Sequence, residues 1–296
     1  MTAAARAADQ PPLDLSEQRA QLGRVFSDDD VATAAPLRAL RATFARKEAA
    51  PAVGEVLPPG WHIGYFVPLT PTDRLGKDGM PLDNGVLPPM PLPRRMHAGN
   101  RLAFHSPILV GDVLRCESEF SDLQLREGRS GPLIFAVQTR RIYTPRGLAL
   151  TEENTNVFRG DEVEGPGPVR EKRAEPQAPP AAWTRTLTPD PVTLFRHSAV
   201  TFNPHRIHYD RSHAADEGYP GLVVQGMFTG QCLLDLARDH VSAARFTGFS
   251  FRAMAPLFDS HPLQLCGRAD EADKRIDLWA IAADGRLAMK AVVDLS

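Results

Sequence analysis

Cysteine is scarce in this chain of 296 residues. The three cysteines, Cys116, Cys232 and Cys266, lie far apart and form no C-x-x-C pair. Their spacing excludes a disulfide framework and a paired-cysteine redox or metal motif, so we interpret them as small buried side chains. A chain without a disulfide framework suits a reducing compartment, and we expect a cytoplasmic protein.

Long apolar runs and an excess of one charge are also absent. No stretch of about 18 apolar residues occurs, so we expect no membrane helix, and residues 1–15 lack the apolar centre of a signal peptide. The formal net charge is -2, with both signs interspersed. This balance predicts neither a nucleic-acid partner nor a basic face for a membrane. The hydrolase motif G-x-S-x-G is missing too, which argues against a nucleophilic hydrolase.

The apolar residues that are present, 43% of the chain, are enough for a packed core. Helical spacing of apolar residues predicts one helix over residues 31–45, after three aspartates, and a second over residues 227–240. Runs typical of strands follow each helix and are separated by turn residues. The predicted strands cover residues 102–104, 113–120, 133–143 and 148–158, then 246–253, 263–269, 275–282 and 287–295.

The chain length and this repeated order predict two halves. Residues 161–182 belong to a charged, proline-rich stretch without periodicity, which is typical of a linker. We therefore assign residues 1–160 to an N-terminal half and residues 183–296 to a C-terminal half. A short similarity between residues 101–108 and 252–257 favours a duplication. Helices that lie on antiparallel sheets define the α+β class.

The segment with the most chemistry is residues 198–210, SAVTFNPHRIHYD, followed by YPGLVVQGM at 219–227. His208 is a candidate for proton transfer, because a neutral imidazole titrates near neutral pH. Asn203 can orient a water through its carbonyl oxygen but is no base at pH 7. The free N–H groups at a helix start, here Gly226 and Met227, would stabilise negative charge on a substrate oxygen.

These two motifs, with PLPRRMHAG at residues 91–99, resemble the MaoC-like hydratase superfamily. The likeness is closest to the branch of 3-hydroxyacyl-thioester dehydratase type 2 and mesaconyl-C4-CoA hydratase, and it extends from about residue 61 to residue 296. The resemblance implies a double hot-dog fold, in which two long helices are each wrapped by an antiparallel sheet and the N-terminal half is degenerate.

The same resemblance implies the activity. We expect reversible hydration of a short enoyl-CoA thioester, with dicarboxylic ones such as mesaconyl-C4-CoA included. This hydro-lyase chemistry requires no metal and no cofactor beyond the CoA of its substrate. The acyl-CoA substrate is the expected partner, together with a second copy of the chain in a homodimer.

The family motif is Ser-Gly-Asp-x-Asn-Pro-x-His, with its Asp and His as the catalytic pair. His208 matches the histidine whether the overlay is gapped or not. When the family motif is overlaid without a gap, its aspartate falls on Asn203; when a gap is allowed, it falls on Thr201. The sequence leaves open which of the two stands there.

Further candidates for binding substrate or CoA flank these motifs: Arg94, Arg95, His97, Val224 and Gln225. Arginine suits carboxylates and phosphates through its two-pronged guanidinium, although the segment around Arg94 is equally typical of a solvated loop.

Three other functions stay open at this point. The chain could bind acyl-CoA without catalysis or act as a thioesterase on the same fold. His208, Asp210 and His261 also supply the residue types of an iron-oxygenase triad.

Overall fold

The computed structural model describes residues 13–82, 85–128, 131–160, 180–270, 272 and 274–296. The predicted linker over residues 161–182 therefore lies outside the described residues except for positions 180–182.

Five helices and ten strands make up the described part of the chain. Helices α1 to α5 span Ser16–Arg19, Ala34–Thr43, Pro191–Val200, Arg211–Asp216 and Gly226–Arg238. Strands β1 to β5 span Val25–Val31, Arg94–Phe104, Val113–Gly128, Gly131–Thr144 and Gly147–Arg159. Strands β6 to β10 span Trp183–Leu187, Phe246–Ala253, Leu263–Asp270, Arg275–Ile281 and Leu287–Leu295.

All ten strands form one sheet in the order β1-β3-β4-β5-β2-β7-β10-β9-β8-β6. Each half repeats one topology, since its first strand is at the outer edge and its second strand is at the centre. The halves join where β2 pairs antiparallel with β7, from Gly99 opposite Arg252 to Ala103 opposite Gly248. Gly99 permits this joint, because a Cβ there would stand 2.6 Å from the carbonyl oxygen of Phe251. The repeat supports the predicted duplication.

Helix α5 is the long helix of the C-terminal half. Its residues are buried without interruption from Phe228 to Ala237, because the helix packs across β7, β8, β9 and β10. Gly230 lets the helix approach the sheet closely, since a Cβ there would lie 2.9 Å from the Phe251 ring. The helix begins one residue before its predicted start and ends two residues before its predicted end.

The N-terminal half has only a short 3-10 turn, Trp61–Gly64, at the place of α5. The two places correspond because Leu57 N donates to Ile108 O at 2.8 Å, as Val224 N donates to Leu257 O at 2.8 Å. The helix predicted over residues 31–45 is the shorter α2, which packs against α3. This half therefore keeps its sheet but lacks a second long helix, and the space opens into a cleft.

Four strand predictions need correction, of which the first is that β3 continues from residue 120 to Gly128. The aspartates at 28–30 lie in β1, and the first turn of α2 contains no acidic residue; an exposed edge strand accepts charged side chains. Strand β2 begins at Arg94, not at residue 102, so the candidates at 94–97 lie on a strand and not in a loop. Strand β6 was not predicted, because it is only five residues long and Trp183 and Leu187 are its only large apolar side chains.

One apolar core spans both halves, with Leu37, Leu114 and Ile142 from the first and Leu233 and Leu265 from the second. Among the described residues, no helix is both long and apolar enough to span a membrane.

Candidate active site

The predicted catalytic segment begins where α3 ends. Asp190 caps the start of that helix by accepting from Val192 N and Thr193 N. Its end is a tight turn, in which Phe202 has a φ of 49° and Asn203 N donates to Ser198 O at 2.8 Å. This turn directs the chain from α3 toward His208.

Thr201 and Asn203 are the two candidates for the family's aspartate position, and the side-chain oxygen of each is hydrogen-bonded to a nearby backbone group. Thr201 Oγ1 donates to His197 O at 2.7 Å. Asn203 Oδ1 accepts from His205 N at 3.2 Å, as asparagine before proline commonly does in turns. Thr201 and Asn203 both line the cleft, so the choice between them stays open.

His208 is buried in a single turn of 3-10 helix. Its Nδ1 lies 2.7 Å from Val223 O. A carbonyl oxygen can only accept, so Nδ1 bears the hydrogen and Nε2 is left as a bare acceptor. Burial, with smaller contributions from His205 and His197, lowers the pKa of His208 to about 3. The ring is therefore neutral and fixed in one tautomer.

The start of α5 lies beside this histidine, because Val223 is three residues before Gly226. The N–H groups of Gly226 and Met227 belong to the first helical turn and have no acceptor within the helix. Met227 lines the cleft between the two halves, whereas His208 and Gly226 are not among its lining residues. These positions fit the predicted site for a negatively charged oxygen.

Val224 and Gln225 are buried in front of the same helix. Gln225 Nε2 donates to Leu194 O and to Ser198 Oγ, both at 3.0 Å. This side chain therefore links the start of α5 to α3. A contact of Val224 or Gln225 with substrate stays a prediction.

The cleft has a volume of about 280 Å³ and lies between the two halves. The segment after the Trp61–Gly64 turn forms one wall, and the sheet of the N-terminal half forms another. The motif segment and the start of α5 close the third side. These walls comprise Ile63, Tyr65, Phe66, Val67 and Pro68; His97, Arg140, Glu152 and Asn154; and His197, Thr201, Asn203 and Met227.

A buried polar cluster under the sheet wall was not predicted. Glu152 accepts from Asn100 Nδ2 at 2.8 Å and from Arg140 Nη1 at 3.1 Å, and its Oε2 is 3.4 Å from His62 Nε2. Burial alone would raise the pKa of Glu152, but His62 and Arg140 with Asn100 lower it far below its ordinary value. The carboxylate is therefore ionised, and its oxygens are held by His62, Arg140 and Asn100, which leaves them no role in accepting a proton from water.

His97 and Arg95 extend this cluster along β2. His97 Nε2 lies 3.3 Å from Asn154 Oδ1, and Arg95 Nε donates to Asn156 Oδ1 at 2.9 Å. Burial lowers the pKa of both side chains. Arg94, by contrast, is exposed. Of the three candidates, only His97 lines the cleft.

One signal in the sequence pointed to these residues. Residues 151–156 of β5 are all polar, and Glu152, Asn154 and Asn156 share a face because residues two apart in a strand point the same way. Glu152 and Asn156 are buried, and buried polar side chains usually have partners.

The residues of the iron-oxygenase alternative have other partners. Asp210 accepts from Arg206 at 2.7 Å and caps α4 by accepting from His213 N, whereas His261 is exposed and bonded to Ser260. No group of three candidate metal ligands occurs among the described residues.

Comparison with known proteins agrees with this geometry. The family model described as hydroxyacyl-thioester dehydratase type 2 matches residues 60–259. A mesaconyl-C(4)-CoA hydratase of Chloroflexus aurantiacus is 44% identical over 281 residues, which cover 93% of this chain and 97% of that protein.

Solved structures agree as well. A MaoC-like dehydratase from Phytophthora capsici has a TM-score of 0.67 at 12% identity and covers 96% of this chain and 99% of its own. A Mycobacterium tuberculosis protein described as a double hotdog fold has a TM-score of 0.53 at 15% identity, with coverages of 92% and 95%. The predicted α+β double hot-dog class and the resemblance to the MaoC-like superfamily are confirmed.

Proposed function

Because the chain belongs to the hydroxyacyl-thioester dehydratase type 2 family, whose reaction is that of a hydro-lyase, we propose that it hydrates mesaconyl-C4-CoA or a closely related dicarboxylic enoyl-CoA. The observation that supports this most directly is a neutral histidine with a bare Nε2, close to the first turn of a buried helix. The 44% identical hydratase supports the choice of substrate.

The chemistry follows from these two features. His208 Nε2 removes one proton from a water as the water oxygen bonds to C3 of the enoyl chain. The electrons of the double bond move toward the thioester oxygen, which the N–H groups of Gly226 and Met227 stabilise. His208 then returns its proton to C2, so that water has been added overall. Dehydration is the same sequence in reverse, and neither direction needs a metal or a redox cofactor.

Arg140 favours a substrate with a second carboxylate. It is the arginine among the residues that line the cleft, and its side chain is 16% exposed. Its ion pair with Glu152 uses Nη1, and guanidinium has five N–H donors in all. Cys116 takes one more of these donors, and we propose that the others bind the second carboxylate of the acyl chain.

A panel of enoyl-CoA thioesters tests the proposal. Loss of the conjugated-thioester absorbance would be followed for mesaconyl-C4-CoA and crotonyl-CoA, with release of free thiol measured in parallel. We expect hydration with a clear preference for mesaconyl-C4-CoA. Preference for crotonyl-CoA would overturn the dicarboxylic substrate, and thiol release without hydration would indicate a thioesterase. No turnover combined with acyl-CoA binding would indicate a binding protein.

Arg140→Lys addresses the carboxylate directly. Lysine keeps a positive charge beside Glu152 but loses the two-pronged contact. We expect kcat/KM for mesaconyl-C4-CoA to fall by about tenfold, and that for crotonyl-CoA to change little. Equal effects on both substrates would contradict a contact between Arg140 and the carboxylate.

The assembly and location are further parts of the proposal. We infer a cytoplasmic homodimer, because the three described cysteines are buried free thiols, which suits a reducing compartment, and because a homodimer is the commonest soluble oligomer. Light scattering on the purified protein tests the homodimer, and a monomeric mass would refute it.

A further inference from the structure

The imidazole of His97 lines the cleft, and the proposed reaction does not use it. Its Nδ1 atom is 4.0 Å from the position that a Cβ would take on Gly226. The ring therefore lies beside the start of α5, where the thioester oxygen is proposed to bind. His208 contacts the same segment from its bond to Val223. The two imidazoles thus flank one four-residue stretch of the chain.

Neighbouring side chains determine which nitrogen of His97 bears the hydrogen. The ionised Glu152 can only accept, so Asn100 directs its Nδ2 toward Glu152 Oε1, at 2.8 Å. The same Nδ2 is 2.7 Å from Asn154, whose facing atom must then be Oδ1. That oxygen also faces His97 Nε2 at 3.3 Å. Nε2 is therefore the donor, and in the neutral ring Nδ1 is a bare acceptor.

The attacking water requires such an acceptor. Only one of its O–H bonds breaks, toward His208, and the other persists as the hydroxyl of the product. Thr201 Oγ1 and Asn203 Oδ1 each keep a lone pair but already have a backbone partner in their own turn, whereas His97 Nδ1 has no partner among the described residues. His197 also has a bare Nδ1, but this atom is enclosed in the protein interior.

We propose that His97 Nδ1 accepts a hydrogen bond from the O–H that stays on the water oxygen, and afterwards from the 3-hydroxyl of the product. The inference rests on the proposed hydration. No proton passes to His97: the O–H bond that breaks gives its proton to His208, and that proton goes to C2. His97 thus orients the water while His208 activates it, so the N-terminal half contributes directly to catalysis.

Two amide substitutions separate this role from a structural one. In His97→Asn the side-chain oxygen can occupy the place of Nδ1, whereas in His97→Gln the amide reaches toward Asn154, in the place of Nε2. We expect His97→Asn to retain most of kcat and His97→Gln to lose about 10- to 100-fold. If His97 only anchored Asn154, the order would be reversed. A reversed order, or equal losses, would overturn the inference.

The measurement uses whichever enoyl-CoA the wild-type enzyme hydrates, so failure of mesaconyl-C4-CoA as the preferred substrate leaves the comparison intact. Wild-type protein that hydrates no enoyl-CoA would overturn the proposed function, and this inference with it. Imidazole ¹⁵N spectra of the wild-type protein supply a readout that does not depend on the variants folding. We expect a protonated Nε2 and a bare Nδ1 at His97, and a protonated Nδ1 would refute the proposal.

Discussion

His208 is the residue whose loss should affect the reaction most. In His208→Ala we expect kcat for enoyl-CoA hydration to fall by about 10²- to 10⁴-fold, because general-base assistance has that magnitude. KM should change little, since the side chain contacts the attacking water rather than the thioester. His261→Ala is the matched control, because that imidazole is exposed. A His208→Ala enzyme with the wild-type rate and an unchanged melting temperature would contradict the mechanism.

Buried neutral histidines should also make folding sensitive to acid. Burial lowers the pKa of His197 to about 4 and that of His208 to about 3, whereas an unfolded histidine titrates near 6.5. Below about pH 6.5 the unfolded chain binds protons that the folded chain does not, so stability decreases as the pH falls toward 4. Above about pH 6.5 both states are neutral, and these residues then contribute no pH dependence.

His197→Gln tests this quantitatively. Glutamine can keep the hydrogen bond that His197 Nε2 donates to Gln231, but it does not titrate. Each neutral histidine accounts for about 2 kcal/mol of the stability lost between pH 8 and pH 5. We therefore expect urea unfolding to show a loss about 2 kcal/mol smaller in the variant. An identical loss in both proteins would mean that His197 is protonated in the folded state at pH 5.

The residues of the site differ in how far sequence can predict them. His208, Asn203 and Gly226 lie within 24 consecutive positions, so a local motif predicts them together. His97 and Glu152 come from strands of the other half, and they meet the motif only after the sheet has formed. The tautomer of His208 depends on Val223 O, a backbone atom that no residue type indicates.

At the scale of elements, a loop of the N-terminal half contacts the catalytic segment. Arg206 N donates to Asp78 O and Arg206 Nη1 donates to Lys77 O, both at 2.8 Å. Gly79 completes the contact with a φ of 85°, and a Cβ there would lie 2.1 Å from Pro204 O. The loop thereby fixes the backbone between Asn203 and His208.

Gly79→Ala should displace that backbone. We expect both a lower kcat and a lower urea midpoint, because the methyl group collides with a carbonyl oxygen that cannot move without shifting the segment. Gly54→Ala is the matched control, with a φ of 86° and nothing within 4 Å of its Cβ. It should lose only about 1–2 kcal/mol from the left-handed conformation and keep its kcat. Equal activities in the two variants would exclude a positioning role for the loop.

Elements with a strong internal apolar pattern could be predicted from the sequence, whereas the edge strands β1 and β6 and the first part of the central strand β2 could not. Helix α5 and strands β7 to β10 lie close to their predicted bounds, because each buries a continuous apolar face. Strand β1 is mostly exposed, so it shows no alternation of buried and exposed side chains that would mark it as a strand. Residues 61–64 of the N-terminal half form a single 3-10 turn at the place where the C-terminal half has helix α5. This difference between the halves is visible only when their structures are compared.

At the scale of the whole molecule, the two halves depend on one another. The pairing of β2 with β7 makes their strands a single sheet, and the cleft combines His97 and Arg140 of one half with Asn203 and Met227 of the other. Apolar side chains of both halves share one core. A separated C-terminal half would expose the edge of β7 and lose two walls of the cleft.

Expression of the halves as separate chains tests this dependence. Residues 180–296 alone should aggregate or lack activity even though they include His208, because an exposed apolar edge strand pairs with other chains and His97 and Arg140 are absent. Residues 1–160 produced in the same cells should restore a soluble complex by supplying β2, and with it hydration of enoyl-CoA. Co-purification and the absorbance assay measure the two effects. An active, monodisperse C-terminal half would show instead that the motif segment and α5 suffice for catalysis, which would also remove His97 from the mechanism.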